Sequence, residues 1–461
     1  MPAWRPRLTN DGNLKYLSIL EALEADIRTG ALQPGERLPP HRAIAEAIGV
    51  DLTTVTRAFN EAKIRGLVQA TAGRGTFVRV GIANTESAAF DHATSIDLSM
   101  NSPPQPDAAH VNELIAATTS QVLSGPRAPF LLHYQESSGS ASDRAAAAFW
   151  LGRRIAGIAL PRVLLSSGAQ CALYAILATL LTRGDAIATG AFVYPGLKAI
   201  AEQNGFRLAA LAMDSDGIIP KSFEDLCRRD PPKALYVIPT MDNPTTATLP
   251  AARRVALADI ARRFAVAIIE DDPYAPLAAN SLEPIASTAP DITWHIATLS
   301  KCATPALRIA YVAAPSAAAA LRLQSVLRAT NLMPAPVNAA ICSNWITNGK
   351  LDLIASAIRR ENNARHELAR IAFGNEQFAA DPDGHHIWLQ LPAFWRADDF
   401  ADHAARSGVS VVPASAFAIS ENNTQAVRLS IGVAPSRAVL NDAMSTLSAL
   451  ISQRPSARVV V

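Results

Sequence analysis

The chain has no apolar run long enough to span a bilayer, no internal repeat and no low-complexity tract. Its four cysteines, Cys171, Cys227, Cys302 and Cys342, are scattered without paired spacing, which argues against both a disulfide framework and a zinc site. Cys302 adjoins Lys301 and reads as a packed neighbour rather than a nucleophile. The nine histidines show no ligand spacing, and His385-His386 reads as a strand or turn beside Trp388. Neither sign of charge dominates, with 42 Lys and Arg against 40 Asp and Glu. The start, Met-Pro-Ala-Trp-Arg-Pro-Arg, lacks the apolar core of an export signal, so the cytoplasm is the expected location. What is present is size and apolar content. At 461 residues, 49% of them hydrophobic, the chain exceeds one ordinary domain and can bury a large core.

Short apolar strands alternate with helices from about residue 96 onward, and several strand ends carry chemistry. Lys301 lies in Ala297-Thr-Leu-Ser-Lys-Cys-Ala-Thr-Pro-Ala-Leu-Arg308, where small hydroxyl residues precede an amine and an arginine follows. An aldehyde cofactor needs such an amine beside cations and hydroxyls that hold a phosphate dianion. A solvated surface lysine is the ordinary alternative, so partners elsewhere must decide. Val163-Leu-Leu-Ser-Ser-Gly-Ala-Gln170 runs from a strand into a helix, whose free N–H groups at Gly168, Ala169 and Gln170 suit a phosphate. Asn243 ends a buried-strand pattern and offers an amide to a ring oxygen. Val266-Ala-Ile-Ile-Glu-Asp-Asp-Pro-Tyr274 ends in three carboxylates and a tyrosine, a pattern that a solvated acidic strand end usually explains. Taken together, Asp271 can pair with a protonated pyridine nitrogen, Tyr274 and Asn243 with a phenolic oxygen, and Arg308 with a phosphate. Arg428, in Ala426-Val-Arg-Leu-Ser-Ile-Gly432, can receive a carboxylate.

From about Ile96 to the C-terminus the chain resembles a fold-type I, class I aminotransferase domain. The resemblance implies an α/β PLP-dependent transferase fold over residues 96–461: a large domain with a mixed, mostly parallel sheet and a smaller C-terminal α+β part. It also implies pyridoxal 5'-phosphate held by Lys301 as an internal aldimine, Asp271 at the pyridine nitrogen, Asn243 and Tyr274 at the 3'-oxygen, and Arg428 at a substrate or effector carboxylate. Gly168, Ala169, Gln170, Ser300 or Thr298, and Arg308 match phosphate-binding positions. Tyr194 matches the aromatic stacked on the ring, and Tyr134 the tyrosine given to the neighbouring subunit's phosphate, which makes the active unit a homodimer. Thr246 and Ala310 stand where the family usually has glycine.

Residues 1–80 differ in character, holding 11 Lys or Arg and 8 Asp or Glu. Apolar spacing predicts helices over 14–29, 39–48 and 52–65, with Gly49 as a breaker and Asp51 as an N-cap. Val55, Phe59 and Ala62 share one face of the third helix, leaving Thr53, Arg57 and Asn60 opposite, with Thr54 and Thr56 at the edges. Two strands around Thr71-Ala-Gly-Arg-Gly75 make a hairpin with Arg74 at its tip. Helical periodicity alone fits a protein-interaction domain equally well. The string Gly30-Ala-Leu-Gln-Pro-Gly-Glu-Arg-Leu-Pro39, then Arg42, Ala47-Ile-Gly-Val50 and Gly73-Arg-Gly-Thr-Phe-Val78, however, resembles the GntR winged helix-turn-helix. That resemblance implies double-stranded DNA as partner, contacted by Arg37, Arg42, Thr53, Thr54, Thr56, Arg57, Asn60 and Arg74. Residues 81–95 read as a linker.

The two halves together resemble the MocR subfamily of GntR regulators, although Asp51-Leu52 stand where that subfamily often has Ser-Arg. The expectation is a DNA-binding regulator that senses an amino acid, amine or B6 vitamer. The rival expectation is a metabolic aminotransferase with a vestigial N-terminal domain.

Overall fold

The computed structural model describes residues 4–6, 15–28, 31–33, 35–64, 67–71, 75–78, 96–374, 378–421 and 423–454. The chain divides into two compact units, Met1–Thr94 and Ser95–Val461. The expected linker, residues 81–95, and Arg74 at the expected wing tip lie outside the described residues.

In the N-terminal unit, α1 (Lys15–Arg28), α2 (His41–Ile48) and α3 (Leu52–Ile64) pack around Ile19, Leu20, Leu23, Ile44, Val55, Phe59 and Ala62. Gly49 stops α2 in the left-handed region at φ 66°, as a breaking glycine should. After α3, β1 (Val68–Thr71) and β2 (Gly75–Val78) form an antiparallel hairpin. The backbone of residues 36–38 runs along the far side of β2, with Leu38 N–H donating to Thr76 O at 2.9 Å and Val78 N–H to Glu36 O at 2.8 Å. Three helices followed by a hairpin with an added edge constitute a winged helix-turn-helix.

The C-terminal unit opens with β3 (Ile96–Asp97). Its large sheet comprises β4 (Val163–Ser166), β5 (Ala186–Gly190), β6 (Arg207–Leu211), β7 (Ala234–Val237), β8 (Ala267–Asp271), β9 (Thr293–Thr298) and β10 (Ala310–Ala313). Their spatial order is β4-β10-β9-β8-β7-β5-β6, and β10 runs antiparallel to both its neighbours while the others are mutually parallel. Helices cover both faces, so strands such as Val163–Ser166 and Ala234–Val237 are buried throughout and read as unbroken apolar runs. The C-terminal ends of the parallel strands share one edge, where α/β sheets place their ligands.

A smaller antiparallel sheet follows: β11 (Phe378–Ala380), β12 (His386–Gln390), β14 (Val412–Pro413) and β15 (Ala426–Ser430), in the order β11-β12-β15-β14. A separate short strand, β13 (Val409–Ser410), pairs in parallel with β3. Ile387, Leu389, Val427 and Leu429 enter a core with Phe400, Leu440 and Met444. By strand alternation His386, Trp388, Arg428 and Ser430 share the opposite face, with Trp388 facing Arg428 in register. Among the described residues no helix is long and apolar enough to cross a membrane.

Candidate functional site

At the end of β8 three consecutive carboxylates, Glu270, Asp271 and Asp272, are all buried, so the solvated reading of this strand end is corrected. Pleating separates their roles. Glu270 accepts from the N–H groups of Ile285 and Ala286 at 2.7 and 2.9 Å and faces His295 at 2.9 Å, while Asp272 pairs with Arg154 at 2.5 Å. Asp271 uses one oxygen, which accepts from Tyr236 Oη at 2.8 Å, and its Oδ1 is buried without a partner. Burial raises the Asp271 carboxyl to about 6, against the Tyr236 hydrogen bond, which lowers it. A buried carboxylate oxygen with no donor is costly, and a ring N–H⁺ would supply one.

Lys301 follows β9, and its Nζ donates to the carbonyl of Asn101. Burial, with Arg428 and Arg308 nearby, lowers this amine to about 8 despite the opposing charge of Asp271. About one molecule in ten then carries a neutral amine at pH 7, against roughly one in three thousand for an ordinary lysine. The rate at which cofactor-free protein takes up pyridoxal phosphate should therefore climb about tenfold per pH unit and level off near pH 8. Stopped-flow absorbance checks this; a rate still climbing to pH 10 would contradict the placement of Lys301.

The phosphate-type residues meet at the start of the helix Ala169–Leu180. Gly168 adopts φ 92° and ψ 163°, and a side chain there would meet the Arg308 guanidinium at 2.7 Å. The exposed Arg308 head thus lies against the helix N-terminus. Thr298 Oγ1 donates to Ile309 O at 2.9 Å and lies 3.0 Å from Ser300 Oγ. With the Thr298 proton on Ile309 O, Ser300 Oγ is the donor to Thr298 Oγ1, so an anion here would have to draw the Ser300 proton away from Thr298. Gln170 Nε2 donates to Gly196 O at 3.1 Å, leaving its Oε1 buried without a partner. Gly196 packs tightly on the half-buried Tyr194 ring, whose phenol is raised by burial first and Asp271 second.

Arg428 is buried on the small sheet, donates to Asn243 Oδ1 at 3.0 Å and to Ser99 O, stacks 5.1 Å from the Phe417 ring, and keeps Nε unpartnered. With its carbonyl taken, Asn243 has its amide N–H groups left for a ring oxygen. Tyr274 is fully buried and accepts from Asn101 Nδ2 at 2.8 Å, which leaves the phenol proton to donate. Cys302 is buried and its thiol is pushed up to about 12, so it is inert packing beside the amine.

Tyr134 is not brought to this cluster. It is 81% exposed and borders a surface cleft of about 700 Å³ with Gln324 and Arg328. Four neighbours were not among the site residues expected from the sequence: Asn101, Tyr236, His385 and His386. Both histidines are buried within 5.5 Å of the Tyr274 ring, centroid to centroid. His386 Nε2 lies 3.0 Å from Asp242 O, so it carries the proton, and burial lowers the ring to about 3. No local pattern marks these four, because their roles arise only from tertiary contact.

The donor set fits pyridoxal phosphate on three observations: the unpartnered Asp271 Oδ1, the guanidinium packed on a glycine at a helix N-terminus, and a depressed lysine amine between them.

In the N-terminal unit Val55, Phe59 and Ala62 are buried, while Thr53, Arg57 and Asn60 are exposed and Thr54 and Thr56 half-buried. Arg57 stacks 4.2 Å from the Tyr16 ring centroid. Arg42 and Arg37 are exposed, the latter beside Gly75. Replacing Arg42 or Arg57 by alanine should weaken operator and unrelated duplex alike and reduce the slope of log affinity against log salt by about 0.9 each. Fluorescence anisotropy across a salt series reads this, and an unchanged slope would remove either side chain from the phosphate contacts.

Residues 15–78 match the model for bacterial regulatory proteins of the gntR family, and residues 79–447 match aminotransferase class I and II. The uncharacterized HTH-type transcriptional regulator YdeF of Bacillus subtilis is 29% identical over 430 residues, covering 93% of this chain and 92% of its own. The vitamin B6 salvage pathway transcriptional repressor PtsJ of Salmonella typhimurium is 27% identical over 94% of this chain and 97% of its own. Among solved structures, the α-aminoadipate aminotransferase LysN of Thermus thermophilus superposes with a TM-score of 0.71 at 21% identity, over 78% of this chain and 92% of its own. That identity establishes the fold alone. The chain belongs to the class I and II aminotransferase family and carries a gntR-family helix-turn-helix at its N-terminus, the combination of the MocR regulators, which makes it a transcriptional regulator with an aminotransferase-like domain.

Proposed function

We propose that this regulator binds pyridoxal 5'-phosphate through Lys301 and reads a small amino compound or B6 vitamer at the same site, changing its grip on an operator. The observation that carries the reading is the convergence of a depressed lysine amine, an unpartnered Asp271 oxygen and an arginine packed on Gly168. Arg308, Ser300 and the backbone at Gly168, Ala169 and Gln170 hold the phosphate; Tyr194 covers the ring; Tyr274 and Asn243 bond its phenolic oxygen. When bound, the cofactor supplies an electrophilic carbon and an electron sink. Asp271 holds the ring nitrogen's proton, Lys301 supplies the nucleophilic amine, and Arg428 orients a carboxylate. The exposed Tyr134 completes the phosphate site of the partner subunit, so the working unit is a homodimer whose two recognition helices meet two half-sites.

Operator affinity of the cofactor-loaded protein should shift by about fivefold or more with the right ligand, a coupling of at least ~1 kcal/mol. Titrating labelled operator against a panel of amino acids, amines and vitamers measures it, and identical affinities across the panel would remove the sensing claim. Two observations favour a second reading: Lys301, Asp271, Tyr274 and Arg428, the groups half-transamination needs, are all present in the sequence, and the 2-aminoadipate transaminase of Thermus thermophilus is 26% identical over 341 residues. Steady turnover of an amino donor and a 2-oxo acid, with no DNA retention, would carry that reading instead.

A further inference from the structure

The first described segment of the C-terminal unit crosses the site. Its start is tied to the small part: Ile96 N–H donates to Gly408 O at 2.7 Å, Leu98 N–H to Ser410 O at 2.9 Å, and Ser430 N–H to Leu98 O at 2.9 Å. Its end is tied to the large domain. Asn101 Nδ2 donates to Tyr274 Oη at 2.8 Å, and Asn101 O accepts from Lys301 Nζ. Between these anchors Ser99 O accepts from Arg428 Nη2, while the Met100 side chain stands 62% exposed. Two backbone carbonyls of one short strap therefore occupy the amine assigned to the cofactor and the guanidinium assigned to the ligand.

We propose that residues 98–101 are a built-in competitor for the ligand carboxylate, held down by Asn101 and displaced from Arg428 only by a ligand that bears an anionic group. This rests on the reading of the site given above, which already places a carboxylate at Arg428, and adds the strap that such a ligand must displace. The chemistry is an exchange of acceptors. A neutral carbonyl on a guanidinium is a weaker partner than a carboxylate, which brings a full opposite charge and two oxygens in bidentate geometry. An ammonium group has nothing to offer Arg428 and is repelled by it. Arg428 Nε, buried and unpartnered, and Asn101 Oδ1, likewise buried and unpartnered, show that the present contacts satisfy neither group fully. With Lys301 engaged by the cofactor the Asn101 carbonyl would lose its donor, so loading would loosen one anchor and a carboxylate the next.

Asn101 is thus a positioning residue, and its variants separate the strap from a plain structural role. In the full-length, cofactor-loaded protein, Asn101→Ala should bind propionate about fivefold more tightly, the worth of one ordinary hydrogen bond no longer opposing it. Asn101→Asp, which places a carboxylate on the strap near Arg428 and Lys301, should bind propionate more weakly than the unaltered protein. Calorimetry gives both constants. Hydrogen exchange over residues 96–104 should rise severalfold with propionate, stay unchanged with propylamine, and already be raised in Asn101→Ala without ligand. Weaker or undetectable propionate binding by Asn101→Ala, slower exchange of the strap with propionate, or release by propylamine would each overturn the proposal. Failure of the broader reading looks different: the strap would still respond to propionate while operator affinity ignored every ligand.

Discussion

Lys301→Ala should abolish the visible absorbance band of the purified protein and reduce borohydride-fixed pyridoxyl label at this position to background, while the fold survives. The loss is all-or-none because, among the described residues, no other lysine amine is placed beside Asp271 and Arg308. Lys198 Nζ is held by the carbonyls of Ala416 and Ala418 at 2.9 and 2.7 Å, and an ordinary lysine is almost wholly protonated at neutral pH. The remaining contacts to phosphate and ring keep a weaker, reversible affinity, so cofactor dissociation becomes measurable by dialysis. Operator binding in the absence of ligand should persist, and the ligand response should vanish. Peptide mapping after borohydride decides the matter: label retained elsewhere in the Lys301→Ala protein would move the site, and with it the whole functional reading.

How much of this was legible in the sequence follows from how local each feature is. The helices over 15–28, 41–48 and 52–64 were readable because each buries one face at helical spacing and Gly49 marks a stop. The strand ends holding Asp271, Lys301 and Gly168 were readable because parallel strands, buried on both faces, leave unbroken apolar runs that stop abruptly at polar residues. The division of labour within Glu270-Asp271-Asp272 was not readable. It depends on which face of β8 meets His295 and Arg154, residues far away in the chain. Asn101 stands 200 positions from Lys301, in a stretch with no apolar period, so nothing local announced its contact with the amine. Tyr236 lies in the fully buried strand β7, and only its hydroxyl, 2.8 Å from Asp271, reveals a second role. The sequence offered Thr298 and Ser300 alike, and only the fold brings out their 3.0 Å contact and the Ile309 carbonyl that takes the Thr298 proton.

Gly168→Ala should weaken pyridoxal phosphate binding by about ten- to a hundredfold while leaving the affinity for pyridoxal, which has no phosphate, nearly unchanged. The backbone at Gly168, φ 92° and ψ 163°, lies in a region essentially closed to residues with a Cβ, at a cost of roughly 1–3 kcal/mol. The added methyl would also sit 2.7 Å from Arg308 Nη2 and 2.9 Å from Cζ. Arg308 is exposed, so its head can swing into solvent and the clash need not unfold the domain. What is lost is a charge-assisted hydrogen bond to the phosphate, worth about 1.5–3 kcal/mol, with further loss if the helix N-terminus shifts. Arg308→Ala should therefore reproduce most of the affinity loss without the drop in melting temperature that Gly168→Ala brings. Because both changes remove the same contact, the double variant should bind little worse than the weaker single one. Calorimetric titration with the phosphorylated and unphosphorylated aldehydes measures all three proteins. Equal losses for both aldehydes would place the fault in the ring site rather than the phosphate cup, and additive losses would show that Arg308 and the turn at Gly168 act on the cofactor independently.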